Sequence, residues 1–331
     1  MKNIKIKLLF AIVISTNLFI SCTKDTESFT VRNSAKSLPS SIPQYASYTV
    51  MRQVIDSAYS FDSVSQLVAY ETSEGRISIG RLADVFYESV APEKFSTESD
   101  ALTFYANHTN YLDTIVENND VSIVPKWHDM PWRYVANASG YFAVGNYVYR
   151  LFKDDIVCTH ENNYKDLTAL TENGLNYLDT TKFYSSKPKS SANTTHTTCI
   201  NSTYFFKSPT TVGNNRIILK LDTRIPFYSG IGRMHETEAT AYCQHKSVGI
   251  WWTSRHTITL QASMNLHDNA SYSTWTSVSR SIYVTKGSNC LTRPVYATGS
   301  PYGYGLQHYH YKTSCSLSAT YPGGPTASIS F

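Results

Sequence analysis

Hydrophobic residues first appear as a block: Leu8 to Ile20 is apolar except for Ser15, Thr16 and Asn17, and Lys2, Lys5 and Lys7 precede it. The block is shorter than the about 20 apolar residues that a membrane-spanning helix needs, and it has the zoning of an export signal. Residues 22–44 form a polar, Ser-rich tether ending in Pro39-Ser-Ser-Ile-Pro43. Between 45 and 182 the rhythm is mixed. Residues 62–70, 78–90 and 98–116 read as helices; in the last, Leu102, Tyr105, Leu112 and Ile115 recur near helical period behind the acidic start Glu98-Ser-Asp100. From Trp132 to Thr159 the period shortens. Trp132-Arg-Tyr-Val-Ala, Gly140-Tyr-Phe-Ala-Val and Tyr147-Val-Tyr-Arg-Leu-Phe are β-type runs separated by Asn137-Ala-Ser-Gly140 and Gly145-Asn146, which supply turn chemistry. They predict a β-meander, with a helix over 163–178 closing the domain.

Residues 183–203 are dominated by Ser, Thr and Asn and read as a linker. Beyond them the apolar residues alternate or are β-branched over 216–222, 235–244, 257–264, 281–285 and 309–321, punctuated by Gly, Pro and Asn. This pattern predicts antiparallel strands. The expected fold is an α+β N-terminal domain (45–182, with its meander at about 132–159) followed by an all-β antiparallel sandwich (204–331), immunoglobulin-like or jelly-roll-like.

The end of the first apolar block, Phe19-Ile20-Ser21-Cys22, resembles the lipobox of bacterial lipoproteins. That resemblance implies cleavage of residues 1–21, acylation of Cys22 with palmitate-type chains, and anchoring to a membrane at about 0.8 kcal/mol per buried methylene. The next residues, Thr23-Lys24-Asp25-Thr26-Glu27, resemble the surface-export signal of Bacteroidota lipoproteins. Two further stretches, from Ala136 to Arg150 and from Tyr242 to Trp252, are similar to cell-envelope lipoproteins of unknown function from the same phylum. The likeness lies in turns and core aromatics. It implies two domains at the outer membrane, facing outward, and supplies no catalytic residue.

Composition agrees with an exported, strand-rich protein. Only 16% of residues are charged, and the 25 Tyr outnumber the 14 Phe and 5 Trp together. The net charge of +4 is unevenly divided: residues 23–194 carry −6 and residues 195–331 carry +7, with seven of the ten His. Either the two halves attract each other, or the basic half meets an acidic partner such as an anionic glycan. The second reading makes the C-terminal half the recognising part and the N-terminal half a spacer. Dispersed basic residues without a basic–aromatic motif exclude nucleic acid as the expected partner.

Chemistry-bearing patterns are sparse. Five cysteines follow Cys22, an odd number; Cys290 and Cys315 flank a Gly/Pro-rich excursion and are the expected disulfide. His308 and His310 share one strand face and can chelate an ion, with His256 or His245 as a third ligand, but no carboxylate stands near in sequence. No metal or cofactor is therefore expected. His235-Glu236-Thr237-Glu238 lacks the second histidine of a zinc-protease helix, and there is no nucleophile elbow or phosphate loop. Trp251, Trp252, Tyr302 and Tyr304 are candidates for stacking against sugar rings. Ser57, Ser63, Thr114 and Thr180 each follow an Asp and resemble the Bacteroidota O-glycosylation pattern. The expectation is a lipid-anchored binding protein; the rivals are a fimbrial subunit and a glycan hydrolase with carboxylates on scattered loops.

Overall fold

Each of the first four helices begins at a hydroxyl residue that satisfies an orphan amide. Ser47 caps α1 (Tyr48–Ser60), Ser63 caps α2 (Val64–Ser73) and Ser78 caps α3 (Ile79–Ser89). Thr97 and Asp100 form a reciprocal capping box at α4 (Glu98–Ala106). The computed structural model describes residues 38–117, 119–187, 206–224, 226–233, 236–254, 256, 258–271, 274–285, 293–298, 310–320 and 326–330. All of them fall within a single compact unit.

The helix expected over 98–116 stops at Ala106, and Leu112–Glu117 is instead strand β2. Asn107, Thr109 and Asn110 are poor helix formers, and Thr114, Ile115 and Val116 are β-branched, so the tail of the apolar period belongs to a strand. The expected helix at 163–178 is a short α5 (Tyr164–Ala169) and a 3-10 turn at Asn173–Tyr177. Helix α1 was not anticipated.

With β1 (Gln44–Tyr45), the meander β4 (Tyr141–Val144), β5 (Tyr147–Leu151) and β6 (Ile156–His160) forms a five-stranded sheet, ordered β1-β4-β5-β6-β7. Strand β7 (Phe183–Ser185) opens the stretch read as a linker; 188–205 lie outside the described residues. Trp132–Tyr134, read as a strand, is part of a 3-10 turn. It packs against α3 at Gly80, where a Cβ would overlap the Tyr134 ring.

A hairpin of β2 and β3 (Asp120–Pro125) joins the sheet built by the second half of the chain. That half carries β8 (Phe206–Val212), β9 (Asn215–Arg224), the short pair β10 (Phe227–Tyr228) and β11 (Gly232–Arg233), then β12 (Glu236–Ser247) and β13 (Ile250–Ser254). After them come β14 (Thr259–Ser271), β15 (Thr274–Thr285), β16 (Arg293–Thr298), β17 (His310–Thr320) and β18 (Thr326–Ser330). A seven-stranded sheet runs β2-β3-β13-β12-β9-β8 with β16 beside β12, and a four-stranded one runs β15-β14-β17-β18. The architecture is mixed α+β: among the described residues, a few α-helices, all before residue 170, and several largely antiparallel sheets.

The two halves share one sheet. Strand β3 pairs in parallel with β13, Trp251 opposite Ser122 and Trp252 opposite Ile123. Tyr87 of α3 locks this junction: its hydroxyl donates to Ile123 O at 3.0 Å and accepts from Thr253 N–H at 2.6 Å. The uneven charges also meet here. Arg216 and Lys246 approach Asp120 at 3.6 and 3.1 Å, and Lys220 approaches Asp129 at 3.0 Å, each a C-terminal cation on an N-terminal carboxylate.

Candidate functional site

A cavity of about 390 Å³ opens where the halves meet, within the roughly 300–1,000 Å³ range of small-molecule sites. Its wall combines β2 (Asp113–Val116), the turn after β3 (Trp127–Met130), the β5–β6 turn (Lys153, Asp154), Lys187, and Lys220 and Arg224 from β9. Alternate residues of a strand point to opposite faces, so a cavity touched by four consecutive residues of β2 lies along that strand's edge. Among the described residues β2 is the terminal strand of its sheet.

Local structure fixes each wall. The β5–β6 turn closes through Phe152 N–H on Asp155 O at 2.9 Å, and Lys153 N–H donates to Glu172 Oε1 at 2.7 Å. The buried Asp155 carboxylate accepts from Ser186 N–H and Oγ and from Lys187 N–H, which holds Lys187 at the rim. Arg224 donates to Asp154 O at 2.9 Å, linking β9 to the same turn. The Lys220 side chain is 4% exposed and paired with Asp129.

Trp127 is the unusual element. Its φ is +49°, a left-handed conformation that costs a bulky residue on the order of 1–3 kcal/mol and persists only where neighbours enforce it. Here they do. Asp113 Oδ2 accepts the Trp127 N–H at 2.8 Å and Asp113 Oδ1 accepts from Lys126 Nζ at 2.9 Å. Met130 N–H closes a turn onto Trp127 O at 2.8 Å. Gly140 lies against the ring so closely that a Cβ there would stand 2.7 Å from it. Trp127 is part-buried and lines the cavity, with Lys126 Nζ over its ring at 5.3 Å.

Charge in the wall is partly paired. Asp113 is paired with Lys126 and Asp129 with Lys220, and Asp154, Arg224, Lys153 and Lys187 also line the cavity. The lining is therefore positive on balance.

Two other polar clusters are buried, with Arg133 Nε and Glu236 Oε2 left without a hydrogen-bond partner. Arg133 donates to both oxygens of Asp84 at 2.7 and 2.9 Å, and Tyr134 OH donates to Asp84 Oδ2 at 2.8 Å, all three residues being buried. Glu236 Oε1 accepts from Tyr48 OH at 3.1 Å and Tyr228 OH at 3.3 Å, and Trp132 Nε1–H donates to Tyr228 OH. Burial pushes the Glu236 carboxyl above its ordinary range, against the pull of Arg52 and the two tyrosines. Neither cluster borders the cavity.

The stacking role expected for Trp251 and Trp252 is corrected. They are 3% and 2% exposed, Trp251 under the Arg216 guanidinium at 4.0 Å and Trp252 stacked on Phe95 at 5.4 Å, so no ring face is offered to a sugar. Most of the cavity wall comes from the N-terminal half, and Lys220 and Arg224 come from the C-terminal half. Tyr302, Tyr304, His308, Cys22 and Cys290 lie outside the described residues. His310 and Cys315 lie on β17, in register with Asp268 and Met264. His245 is hydrogen-bonded with Asn215 Oδ1, and burial, with His245 nearby, lowers the His256 pKa. Cys158 and Cys243 are buried, and burial pushes the Cys243 thiol up to about 12. Of the hydroxyls following an Asp, Ser57 lies within α1, Ser63 is the cap of α2, Thr114 lines the cavity and Thr180 is exposed.

Sequence reasoning missed Trp127, Lys153, Lys187, Lys220 and Arg224. A usable signal was Pro125-Lys-Trp-His-Asp-Met-Pro131: cation, aromatic, histidine and acid confined between two prolines.

No protein-family model and no curated protein matches the chain. A solved structure that it resembles is a DUF4848 family protein from Bacteroides thetaiotaomicron. The two are 14% identical, and the match covers 88% of this chain and 97% of that one at a TM-score of 0.27. Among the described residues no helix is long and apolar enough to cross a membrane.

Proposed function

We propose that this chain is a lipid-anchored cell-envelope protein, tethered through Cys22 to the outer membrane and facing outward, that binds an acidic glycan rather than catalysing a reaction. The observation that carries the reading is the cavity between the halves, where Lys153, Lys187, Lys220 and Arg224, from three separate parts of the chain, outnumber Asp113, Asp129 and Asp154. Converging cations attract an anion and raise its local concentration. Binding is favoured over hydrolysis because both oxygens of Asp113 are engaged by Lys126 and the Trp127 amide, and Asp129 is paired with Lys220. In the same reading the four-stranded sheet covers the seven-stranded one as a sandwich, β17 and β18 lying against β8 and β9.

The soluble chain from Thr23 onward, on a glycan array, is expected to retain acidic polysaccharides at low salt. Retention falls at physiological ionic strength, where screening shortens to about 8 Å. Retention of neutral glycans alone, or of none, contradicts the reading. Anchoring is tested separately: Cys22→Ser moves the protein out of the detergent phase, and a variant that still partitions there refutes the lipid anchor.

A further inference from the structure

We infer that the β10–β11 hairpin (227–233) is a latch that fixes the width of the cavity, and that its release bares Lys220. The inference rests on the proposed function only for what enters the cavity. Two sheets supply most of the wall. Lys153 and Asp154 lie between β5 and β6, and Lys187 follows β7, so these come with the five-stranded sheet. Asp113 to Val116, Lys220 and Arg224 come from β2 and β9 of the seven-stranded sheet. The separation of the two sheets therefore sets the size of the opening.

The hairpin starts just beyond Arg224 and ties β9 to the first sheet. Among the described residues its two strands pair with each other and with no other strand. Such a hairpin is marginally stable at best by itself. What holds it is a socket of aromatic side chains. The Phe227 ring stacks on Tyr184 of β7 at 4.2 Å and meets Tyr147 of β5 at 4.8 Å. Tyr228, fully buried, lies against Tyr48 of α1 at 4.6 Å and accepts from Trp132 Nε1–H at 2.9 Å. Tyr149 OH donates to Phe227 O at 2.8 Å. All of these partners belong to the N-terminal half. Withdrawing the hairpin breaks no ladder but its own, so it can open as a local unit while both larger sheets persist. The Arg224 bond to Asp154 O, which joins the sheets at 2.9 Å, adjoins the latch and parts with it. Lys220, 4% exposed in the wall and paired with Asp129, then becomes accessible.

The test is acetylation of the soluble full chain, read by mass spectrometry with no glycan present. Phe227→Ala is expected to speed acetylation of Lys220 at least ~10-fold, because losing a buried ring favours the open state by that much or more. Lys94 and Lys165, exposed and away from the cavity, react at unchanged rates. Amide hydrogen exchange in β9 and β12, whose ladder the hairpin does not join, also stays unchanged. Tyr149→Phe removes the hydroxyl that donates to Phe227 O and gives a smaller acceleration, which decides should Phe227→Ala fail to fold. Unchanged Lys220 reactivity in a folded variant overturns the inference. Acceleration at Lys220 matched by faster exchange throughout β9 and β12 overturns it too, because the hairpin is then ordinary core. The two readings fail separately: release of Lys220 as expected, with no acidic polysaccharide retained on the array, removes the ligand and keeps the latch.

Discussion

The Asp84–Arg133–Tyr134 cluster and the Lys220–Asp129 pair each set a buried cation against a carboxylate, but their surroundings differ. In the first, Arg133 meets both Asp84 oxygens and Tyr134 closes the remaining side, with α3 and the 129–136 segment packed around it. In the second, the pair stands in the wall of a cavity whose rim carries Lys153 and Lys187. Burying charge costs several kcal/mol per ion, which the attraction within the pair must offset, so removing one partner costs more than the intact pair contributes. The same kind of pair in a cavity wall borders space large enough for another molecule. A perturbed or buried ionisable group therefore marks a site only in combination with a cavity.

The largest expected effect breaks the first side of that comparison. Asp84→Ala leaves the Arg133 guanidinium buried without its carboxylate and is expected to cost about 3–5 kcal/mol in denaturant unfolding. A loss below about 1 kcal/mol shows that the cluster does not act as a staple. Next is the junction between the halves. Tyr87→Phe removes the hydroxyl that joins Ile123 O to Thr253 N–H and leaves both backbone groups short of a partner, for roughly 1–3 kcal/mol. Two separated unfolding transitions in this variant, against one in the parent, would indicate that the halves are held together chiefly here.

The smallest effect concerns Glu236. Burial raises its folded-state pKa, so its contribution is complete at pH values below the ordinary glutamate range and falls as pH rises through the elevated value. Glu236→Gln, a neutral isostere that keeps an acceptor for Tyr48 and Tyr228, removes that loss. The stability of the variant relative to the parent is expected to increase as pH climbs out of the glutamate range; a difference independent of pH in melting curves contradicts the assignment.

Local signals in the chain were readable where one short segment decides the outcome. The meander followed from Asn137 to Gly140 and from the Gly145-Asn146 turn, and the start of α4 from the acidic Glu98-Ser-Asp100. The strands β9, β12, β14, β15 and β17 followed from alternation. Helix α1 escaped because Thr49, Val50, Val54 and Ile55 are β-branched, although Met51, Val54, Ile55 and Ala58 make its buried stripe. Trp251 and Trp252 misled because a pair of adjacent indoles reads alike whether it faces solvent or the partner strand; the parallel pairing with β3 decides, and no local pattern announces it. The cavity was hidden for the same reason. Asp129 and Lys220, or Asp154 and Arg224, become neighbours only when β2 and β3 complete the sheet of the second half. The uneven charge along the chain did carry information: its excesses meet at Asp120 and Asp129.

The central claim, that the cavity between the halves is where an acidic glycan is held, is tested most directly by lysine acetylation read by mass spectrometry, with and without saturating oligogalacturonate. Lys153 and Lys187 at the rim are expected to be protected, while Lys94 and Lys165, exposed and away from the cavity, react at unchanged rates. Protection at Lys94 or Lys165 with Lys153 and Lys187 still reactive would contradict the account.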